Sequence, residues 1–333
     1  MRPFEPLIRN PDLLTILAHF WPRSPSERRY PVEQRLYRTN PETQILVEEQ
    51  RPARPEYGHL ILVHGLESSS RAVYMRSLAA AALDAGYRCH RLNLRSCGGT
   101  ERLCRTAYHS GLTCDLLAVV RALAAGGLPV FIAGFSLGGN VVLKLAGELG
   151  EGGPELLAGV CAVSTPIDLA ASVRCIEQPR NRFYETRFLK GLTNRIRVRN
   201  RIDPEAFPLD GLDQVRSIRE FDDRFTAPSF GFRDAAEYYD TQSAIRFLSA
   251  VRVRTLLLQA QDDPVIPFEI YERPEVRANP LVELVATRHG GHVGFLARSR
   301  PRFWSDELIV RWMEGIRETE RRSRTTIEGY GEG

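Results

Sequence analysis

Ser136 lies in the stretch Gly134-Phe135-Ser136-Leu137-Gly138, the clearest candidate for chemistry in this chain. A buried-strand pattern runs into it from Val130, and an amphipathic helix pattern follows at once. Glycines two positions before and after the serine let the backbone turn sharply from strand to helix. The hydroxyl is then exposed at a helix N-terminus, where the helix dipole favours negative charge. The pattern predicts an acyl-transfer nucleophile, and the alternative is a glycine-rich turn with an N-capping serine.

A serine nucleophile needs a base, and two histidines late in the chain are candidates. Serine is a poor nucleophile at its own pKa, so an imidazole must take its proton. His289 and His292 both follow a predicted strand over residues 281–286. We select His292, because Gly290-Gly291 gives it a flexible approach and the apolar residues 293–296 can wall the ring. His289 is interpreted as a surface or structural histidine.

The imidazole in turn needs a carboxylate that fixes its tautomer and stabilises its charged form. Asp262 and Asp263 follow a predicted strand over residues 255–259. We select Asp263, since the sequence Asp-Pro-Val-Ile-Pro fixes it at the turn, and we interpret Asp262 as a supporting or solvated carboxylate. The predicted triad is therefore Ser136, Asp263 and His292.

The same histidines and aspartates have a second interpretation, as a metal site. His289 and His292 are separated by two residues, and the two aspartates could add oxygen ligands. A further neutral ligand is not evident in the sequence. We therefore predict that the chain uses neither a metal nor a cofactor.

Backbone N–H groups must stabilise the oxyanion that forms when a serine attacks a carbonyl. Leu137, one residue past the nucleophile, is the first candidate donor. Leu66 is the second, because it follows Gly65 in the loop after a predicted strand over residues 59–63. His64 is predicted to shape this loop through hydrogen bonds to the backbone rather than to take part in catalysis.

The elements around these residues alternate between strand and helix, which indicates a parallel sheet with helices on both faces. Strands are predicted over residues 59–63, 87–94, 130–134, 158–163, 255–259 and 281–286. The serine, acid and histidine all follow strand ends, where ligands bind in such sheets. Between residues 165 and 250 the alternation stops and helical pieces rich in arginine and aromatic residues replace it. The predicted fold class is α/β, a mostly parallel central sheet flanked by helices, with a helical cap inserted before the last two strands.

This fold divides the chain into four parts. Residues 1–55 are predicted to form an N-terminal extension that packs on the core. Residues 56–164 and 251–320 are predicted to form the core, and residues 165–250 the cap or lid. Residues 321–333 are expected to form a disordered tail.

Composition excludes several other classes of protein. The net charge of +4 over 333 residues is too small to indicate a nucleic-acid-binding protein. The sequence shows neither the pattern of a signal peptide nor an apolar stretch of about 20 residues that could span a bilayer. Six cysteines without an export signal are interpreted as reduced thiols. We therefore expect a cytoplasmic protein.

An arginine-rich segment of the cap has two interpretations. Between Arg180 and Arg201 seven arginines and Lys190 face only one acidic residue, Glu185. The simpler interpretation is a solvated helical face, and the alternative is attraction of anionic substrates or acidic lipid headgroups. We expect an apolar cluster over residues 13–21 to pack on the core, and the alternative is that it rests on a membrane surface. Weak peripheral membrane contact through the cap or the N-terminus is thus one expectation about partners.

Several segments together resemble the YheT-like branch of the α/β-hydrolases. They are His64–Glu67, Asn93–Thr100, Tyr108–Gly111, Gly134–Lys144, Glu220–Asp223, Gly231–Phe232, Tyr238–Tyr239 and Gly290–Phe295. The resemblance covers residues 9–313 and implies the α/β-hydrolase fold, the triad Ser136, Asp263 and His292, and a serine hydrolase that cleaves carboxylic esters. Eukaryotic relatives act on lipid or acylglycerol esters. The chain departs from the family at Ser68 and Ser96, where the family usually has glycine.

The predicted function is hydrolysis of a small-molecule or lipid ester through an acyl-serine intermediate. An acyltransferase or a thioesterase would use the same triad with a different acceptor or leaving group. A non-catalytic receptor or scaffold with a hydrolase fold is the alternative from another class.

Overall fold

A computed structural model describes residues 2–23, 26–53 and 56–329 of the chain. Its strands are β1 (Glu33–Asn40), β2 (Thr43–Gln50), β3 (Gly58–Val63), β4 (Tyr87–Leu92), β5 (Val130–Phe135), β6 (Gly159–Val163), β7 (Thr255–Ala260) and β8 (Val282–Thr287). They form one sheet in the order β1-β2-β4-β3-β5-β6-β7-β8. In this order, each pair of neighbouring strands from β4 through β3 to β8 is parallel, which confirms the mostly parallel sheet.

The first two strands add an antiparallel hairpin to this sheet. β1 pairs with β2, and β2 pairs with β4, both antiparallel. From sequence, only residues 44–47 were predicted to be strand-like within an N-terminal extension. The sequence of β1 shows no apolar strand pattern, because most of its side chains are exposed and polar. Main-chain pairing with β2 defines this strand instead.

Helices cover both faces of the sheet. Their bounds are α1 (Pro11–Phe20), α2 (Val73–Asp84), α3 (Cys114–Ala124), α4 (Leu137–Leu149), α5 (Gly153–Leu156), α6 (Leu169–Ile176), α7 (Arg182–Asn200), α8 (Ile218–Phe221), α9 (Ala227–Ser229), α10 (Ala235–Gln242), α11 (Pro274–Arg277) and α12 (Trp304–Gly329). Short 3₁₀ segments span Ser26–Arg28, Glu101–Leu103, Gly150–Gly152, Pro179–Asn181, Leu212–Gln214, Ala244–Ala250 and Phe268–Tyr271, and a π-helical turn spans Asp222–Thr226.

Alternation of side chains along β3 shows how the sheet is held on both faces. Leu60 and Leu62 lie in an apolar cluster with side chains of α2 and α12. Ile61 and Val63 lie in a second cluster with side chains of α3 and α4. Because both faces are packed, the carboxyl ends of the strands keep fixed positions relative to one another, and the candidate site lies at those ends.

The cap predicted before the last two strands is confirmed, since α6 to α10 lie between β6 and β7. Asn140 in α4 ties this region to the core. Its amide nitrogen donates to the carbonyls of Ser110, at 2.9 Å, and Gln242, at 2.8 Å. Its amide oxygen accepts from Ala244 N–H at 2.8 Å. The cap is therefore hydrogen-bonded to the helix that follows Ser136.

The C-terminal helix differs from expectation in its length. α12 continues to Gly329, whereas a disordered tail was predicted from residue 321. Arginine and glutamate are good helix formers, so a composition typical of disorder also suits a helix. Residues 330–333 of the predicted tail lie outside the described residues.

Within the described part of the chain, no helix combines the length and the apolar character needed to cross a membrane.

Candidate active site

Ser136 occupies the sharp turn between β5 and α4. Its φ of +51° and ψ of −124° lie in a region that residues with a side chain rarely adopt. The turn is tight enough to exclude side chains around it, since a Cβ on Gly138 would lie 2.4 Å from the carbonyl oxygen of Val63. The backbone therefore holds Ser136 in a strained conformation at the N-terminus of α4.

His292 and Asp263 lie next to Ser136, as the predicted triad requires. The Oγ of Ser136 is 3.0 Å from Nε2 of His292, and Nδ1 of the same ring is 3.0 Å from Oδ2 of Asp263. Because a carboxylate only accepts hydrogen bonds, Nδ1 carries the proton and Nε2 is free to accept from the serine hydroxyl. The structure thus joins the three side chains in one hydrogen-bonded chain.

The carboxylate of Asp263 is buried, and both of its oxygens accept hydrogen bonds. Its Oδ1 accepts from the N–H groups of Val265 and Ile266, each at 3.0 Å. Its Oδ2 accepts from Nε2 of Gln259 at 3.2 Å as well as from His292. The backbone donors fix which oxygen faces the imidazole, so the ring can take only one orientation against it.

Asp262 and His289, the two unselected candidates, form a second pair beside the first. Nδ1 of His289 is 3.0 Å from Oδ2 of Asp262, and Oδ1 of Asp262 accepts from Gly291 N–H at 3.0 Å. This pair braces the loop that carries His292. Histidine, cysteine and acidic side chains nowhere gather in threes suited to a metal ion within the described ranges.

The N-terminal segment supplies a contact that sequence reasoning missed. Oγ1 of Thr15, in α1, accepts from the backbone N–H of His292 at 2.8 Å and donates to the carbonyl of Pro11 at 2.7 Å. Ser164, after β6, accepts from the N–H of Val293 at 3.0 Å. These hydroxyls hold the backbone on both sides of the imidazole, and no local sequence pattern marks them.

The two candidate oxyanion donors flank Ser136. Leu137 is the first residue of α4, so its N–H has no acceptor within the helix. Leu66 follows Gly65, where a Cβ would lie 3.1 Å from Cβ of Ser136, so this loop runs directly beside the serine. Leu66 and Leu137 both line a cavity with Ser136.

His64 has the structural role that was predicted for it. Its Nε2 accepts from Leu94 N–H at 3.1 Å, which places the proton on Nδ1, and Nδ1 donates to the carbonyl of Gly65 at 2.8 Å. Burial lowers the pKa of His64 to about 4, so the ring stays neutral and keeps both bonds.

Two spaces meet at Ser136. A cavity of about 100 Å³ lies between cap and core and is lined mainly by apolar side chains: Leu66, Leu137, Leu169, Val173, Ile176, Phe188, Leu192, Ile218, Phe221, Val265 and Ile266. A larger groove of about 740 Å³ runs outward between α1 and α7. Ser136 and His292 line both spaces. An ester with its carbonyl group at Ser136 could therefore place its acyl part in one space and its alcohol part in the other.

The arginine-rich segment of the cap was interpreted as a solvated helical face. This interpretation is wrong for two of its arginines. Arg199 is buried, the side chain of Arg195 is only 9% exposed, and both bind groups of the core. Arg187 and Lys190 line the outer groove instead. Helix α7 therefore directs the side chains of Arg195 and Arg199 toward the core and those of Arg187 and Lys190 toward the groove.

The fold is that of an α/β-hydrolase, and comparison with known proteins agrees. Residues 60–307 match the model of the Alpha/beta hydrolase family. The chain is 33% identical over 271 residues to the candidate esterase YheT of Escherichia coli, and the match covers 79% of each chain. The chain belongs to the α/β-hydrolase family, in the branch that contains YheT.

Eukaryotic relatives are longer than this chain. The mouse phospholipase ABHD3 is 32% identical over 73% of this chain, and the match covers 59% of ABHD3. The monoacylglycerol lipase of Saccharomyces cerevisiae is 28% identical over 77% of this chain, which spans 58% of the lipase. Among solved structures, an esterase of Pyrococcus furiosus matches with a TM-score of 0.57 at 16% identity, over 88% of this chain and 96% of the esterase. The chain is an ester hydrolase of this family.

Strain at Ser136 can be measured without reference to activity. Both Ser136→Gly and Ser136→Ala remove the hydroxyl, but only glycine adopts the observed φ and ψ freely. Strain of about 1–3 kcal/mol, less the greater unfolded-state freedom of glycine, predicts that the glycine variant is about 1 kcal/mol more stable. Urea unfolding of the two variants measures the difference.

The same pair of substitutions at Ser305, in α12, is the control. There alanine favours the helix and should be the more stable variant. An alanine variant at position 136 as stable as the glycine variant would show that the turn is unstrained.

Proposed function

We propose that this hydrolase cleaves carboxylic esters through an acyl intermediate on Ser136. The observation that carries the proposal is the hydrogen-bonded chain from Ser136 through His292 to Asp263. It provides a nucleophile, a base within reach of its proton, and a buried anion that holds the base in one tautomer.

In the first half of the reaction, Oγ of Ser136 bonds to the ester carbonyl carbon and its proton passes to Nε2 of His292. The carbonyl electrons move to the oxygen, which accepts hydrogen bonds from the N–H groups of Leu137 and Leu66. Collapse of this intermediate breaks the bond to the alcohol, which leaves with the proton from His292. In the second half, water attacks the acyl-serine by the same route, and the acid and free Ser136 result.

The two spaces at Ser136 support an assignment of the two ends of the ester. The smaller cavity is mainly apolar and lies between the cap and the core, so it takes the acyl chain. The outer groove is larger, so it takes the alcohol. The named activities of the phospholipase and the monoacylglycerol lipase support lipid esters as substrates, and the small volume of the acyl cavity favours short acyl groups.

The mouth of the outer groove supports a second proposal, that this rim contacts an anionic membrane surface. Phe20 of α1 and Phe183 of α7 line the groove and are 74% and 63% exposed. Arg187 and Lys190 line the same groove, and neither forms an ion pair with an acidic side chain in the described part of the chain. Apolar side chains together with cations suit a lipid surface that carries negative charge.

Adjacent aspartates give a matched test of the triad. In Asp263→Asn the two backbone donors keep the amide oxygen at the Oδ1 position, so the NH₂ group faces His292 and reverses its tautomer. We expect kcat on p-nitrophenyl butyrate to fall by about 10³–10⁴. In Asp262→Asn the amide oxygen still accepts from Gly291 N–H, and we expect a loss of less than about tenfold.

Ser136→Ala completes this test and should remove turnover to the background of the uncatalysed reaction. Full turnover by Ser136→Ala would overturn the proposed nucleophile. Equal losses in the two aspartate variants would contradict the assignment of Asp263.

Vesicle binding tests the proposed membrane contact. Wild-type protein should co-sediment with phosphatidylcholine vesicles that contain phosphatidylglycerol, and less with phosphatidylcholine alone. The double variant Phe20→Ser/Phe183→Ser should bind at least about tenfold more weakly, because each phenyl ring contributes burial in the lipid. The control is Leu36→Ser, which removes a side chain 50% exposed on the far edge strand β1 and should bind as wild type. Equal binding by all three proteins would overturn the proposal.

A further inference from the structure

Cap helix α7 touches the loop that carries Leu66, and the contact is made at Glu67. A Cβ on Gly191 of α7 would lie 2.7 Å from Cγ of Glu67 and 2.9 Å from its Cβ. Any side chain at position 191 would therefore collide with Glu67. The helix and the loop fit together only because this residue is glycine.

Arg195, one turn further along α7, binds the same glutamate. Its Nε donates to Oε1 of Glu67 at 2.9 Å, its guanidinium donates to the carbonyl of Ser96, and it lies over the ring of Tyr108, 4.8 Å from the centroid. Burial alone would lower the pKa of Arg195, but the carboxylate of Glu67, which accepts its hydrogen bond, raises it. The side chain is thus a buried cation with its charge paired to Glu67.

Glu67 is also fixed through its backbone. Its φ is +52°, a conformation that costs energy in a residue with a side chain. Its N–H donates to the hydroxyl of Tyr108 at 2.9 Å, and that hydroxyl donates to Oε1 of Glu67 at 3.1 Å. On the other side of Leu66, Gly65 N–H donates to the hydroxyl of Tyr74 at 3.1 Å. Contacts on both flanks therefore decide where the N–H of Leu66 points.

We propose that Arg195 is a positioning residue for the oxyanion site. Through its bond to Glu67, Arg195 keeps the N–H of Leu66 directed at the position of the oxyanion. The inference rests on the proposed function, in which Leu66 donates to the oxyanion. A backbone donor helps the transition state only when it is aimed at the position of the oxyanion. Because of this contact, the packing of the cap on the core also positions the Leu66 N–H in the oxyanion site.

A purely structural role for Arg195 would predict a different set of effects, and Arg199 offers the comparison. Arg199 is buried on the same helix, four residues later, and donates to the carbonyls of Cys104 at 2.8 Å and Arg105 at 2.7 Å. It also ties α7 to the core but contacts neither Leu66 nor Glu67 in the described hydrogen bonds and ion pairs. Loss of either arginine should loosen the cap, but only Arg195 should disturb the oxyanion site.

The experiment compares Arg195→Met with Arg199→Met. Each is assayed for kcat and KM on p-nitrophenyl butyrate and for inhibition by an alkyl trifluoromethyl ketone, which forms a tetrahedral adduct with the serine. We expect Arg195→Met to lose about 10- to 100-fold in kcat and to bind the ketone more weakly by a similar factor, with KM changed less than about threefold. Arg199→Met should lower the unfolding temperature comparably but keep kcat within about threefold.

Tyr108→Phe tests the same device without removing a charge. It deletes the hydroxyl that bonds Glu67 and should also lower kcat and ketone affinity together. The proposal is overturned if Arg195→Met and Arg199→Met lose kcat equally, if Arg195→Met changes KM alone, or if Tyr108→Phe keeps wild-type kcat. Retained turnover in Ser136→Ala would instead overturn the proposed function, and the positioning role with it.

Discussion

The site depends on the orientation of one imidazole, that of His292, which must meet a carboxylate with one nitrogen and a hydroxyl with the other. Asp263 holds one side of the ring, and Ser136 lies at the other. Thr15 and Ser164 hold the backbone from α1 and from the loop after β6. The ring is therefore placed by segments that only the folded sheet brings together.

The sheet makes this arrangement durable. Its parallel strands are packed on both faces, so the loops at their carboxyl ends start from fixed points. The strained turn at Ser136 is tolerated for the same reason, since the surrounding packing determines its conformation. The cap lines the smaller cavity at Ser136, and its helix α7 reaches the loop of Leu66 through Gly191 and Arg195.

The sheet from β3 to β8 and the cap could be predicted from sequence because buried strands and amphipathic helices carry periodic apolar patterns. Residues at strand ends then indicated where Ser136, Asp263 and His292 meet. Thr15, Ser164 and Arg195 could not be predicted, because their partners lie far away in sequence and their own neighbourhoods show no pattern. β1 and the length of α12 were missed because polar segments of sequence look alike whether they form a strand, a helix or a disordered tail. A cytoplasmic location stays a prediction.

The central claim is that Ser136 is the nucleophile of this hydrolase. Labelling of the intact protein with a fluorophosphonate, followed by mass spectrometry of its peptides, tests it most directly, because only an activated serine reacts. We predict a single adduct on Ser136. An adduct on another serine, such as Ser68 or Ser164 nearby, with Ser136 unmodified, would contradict it.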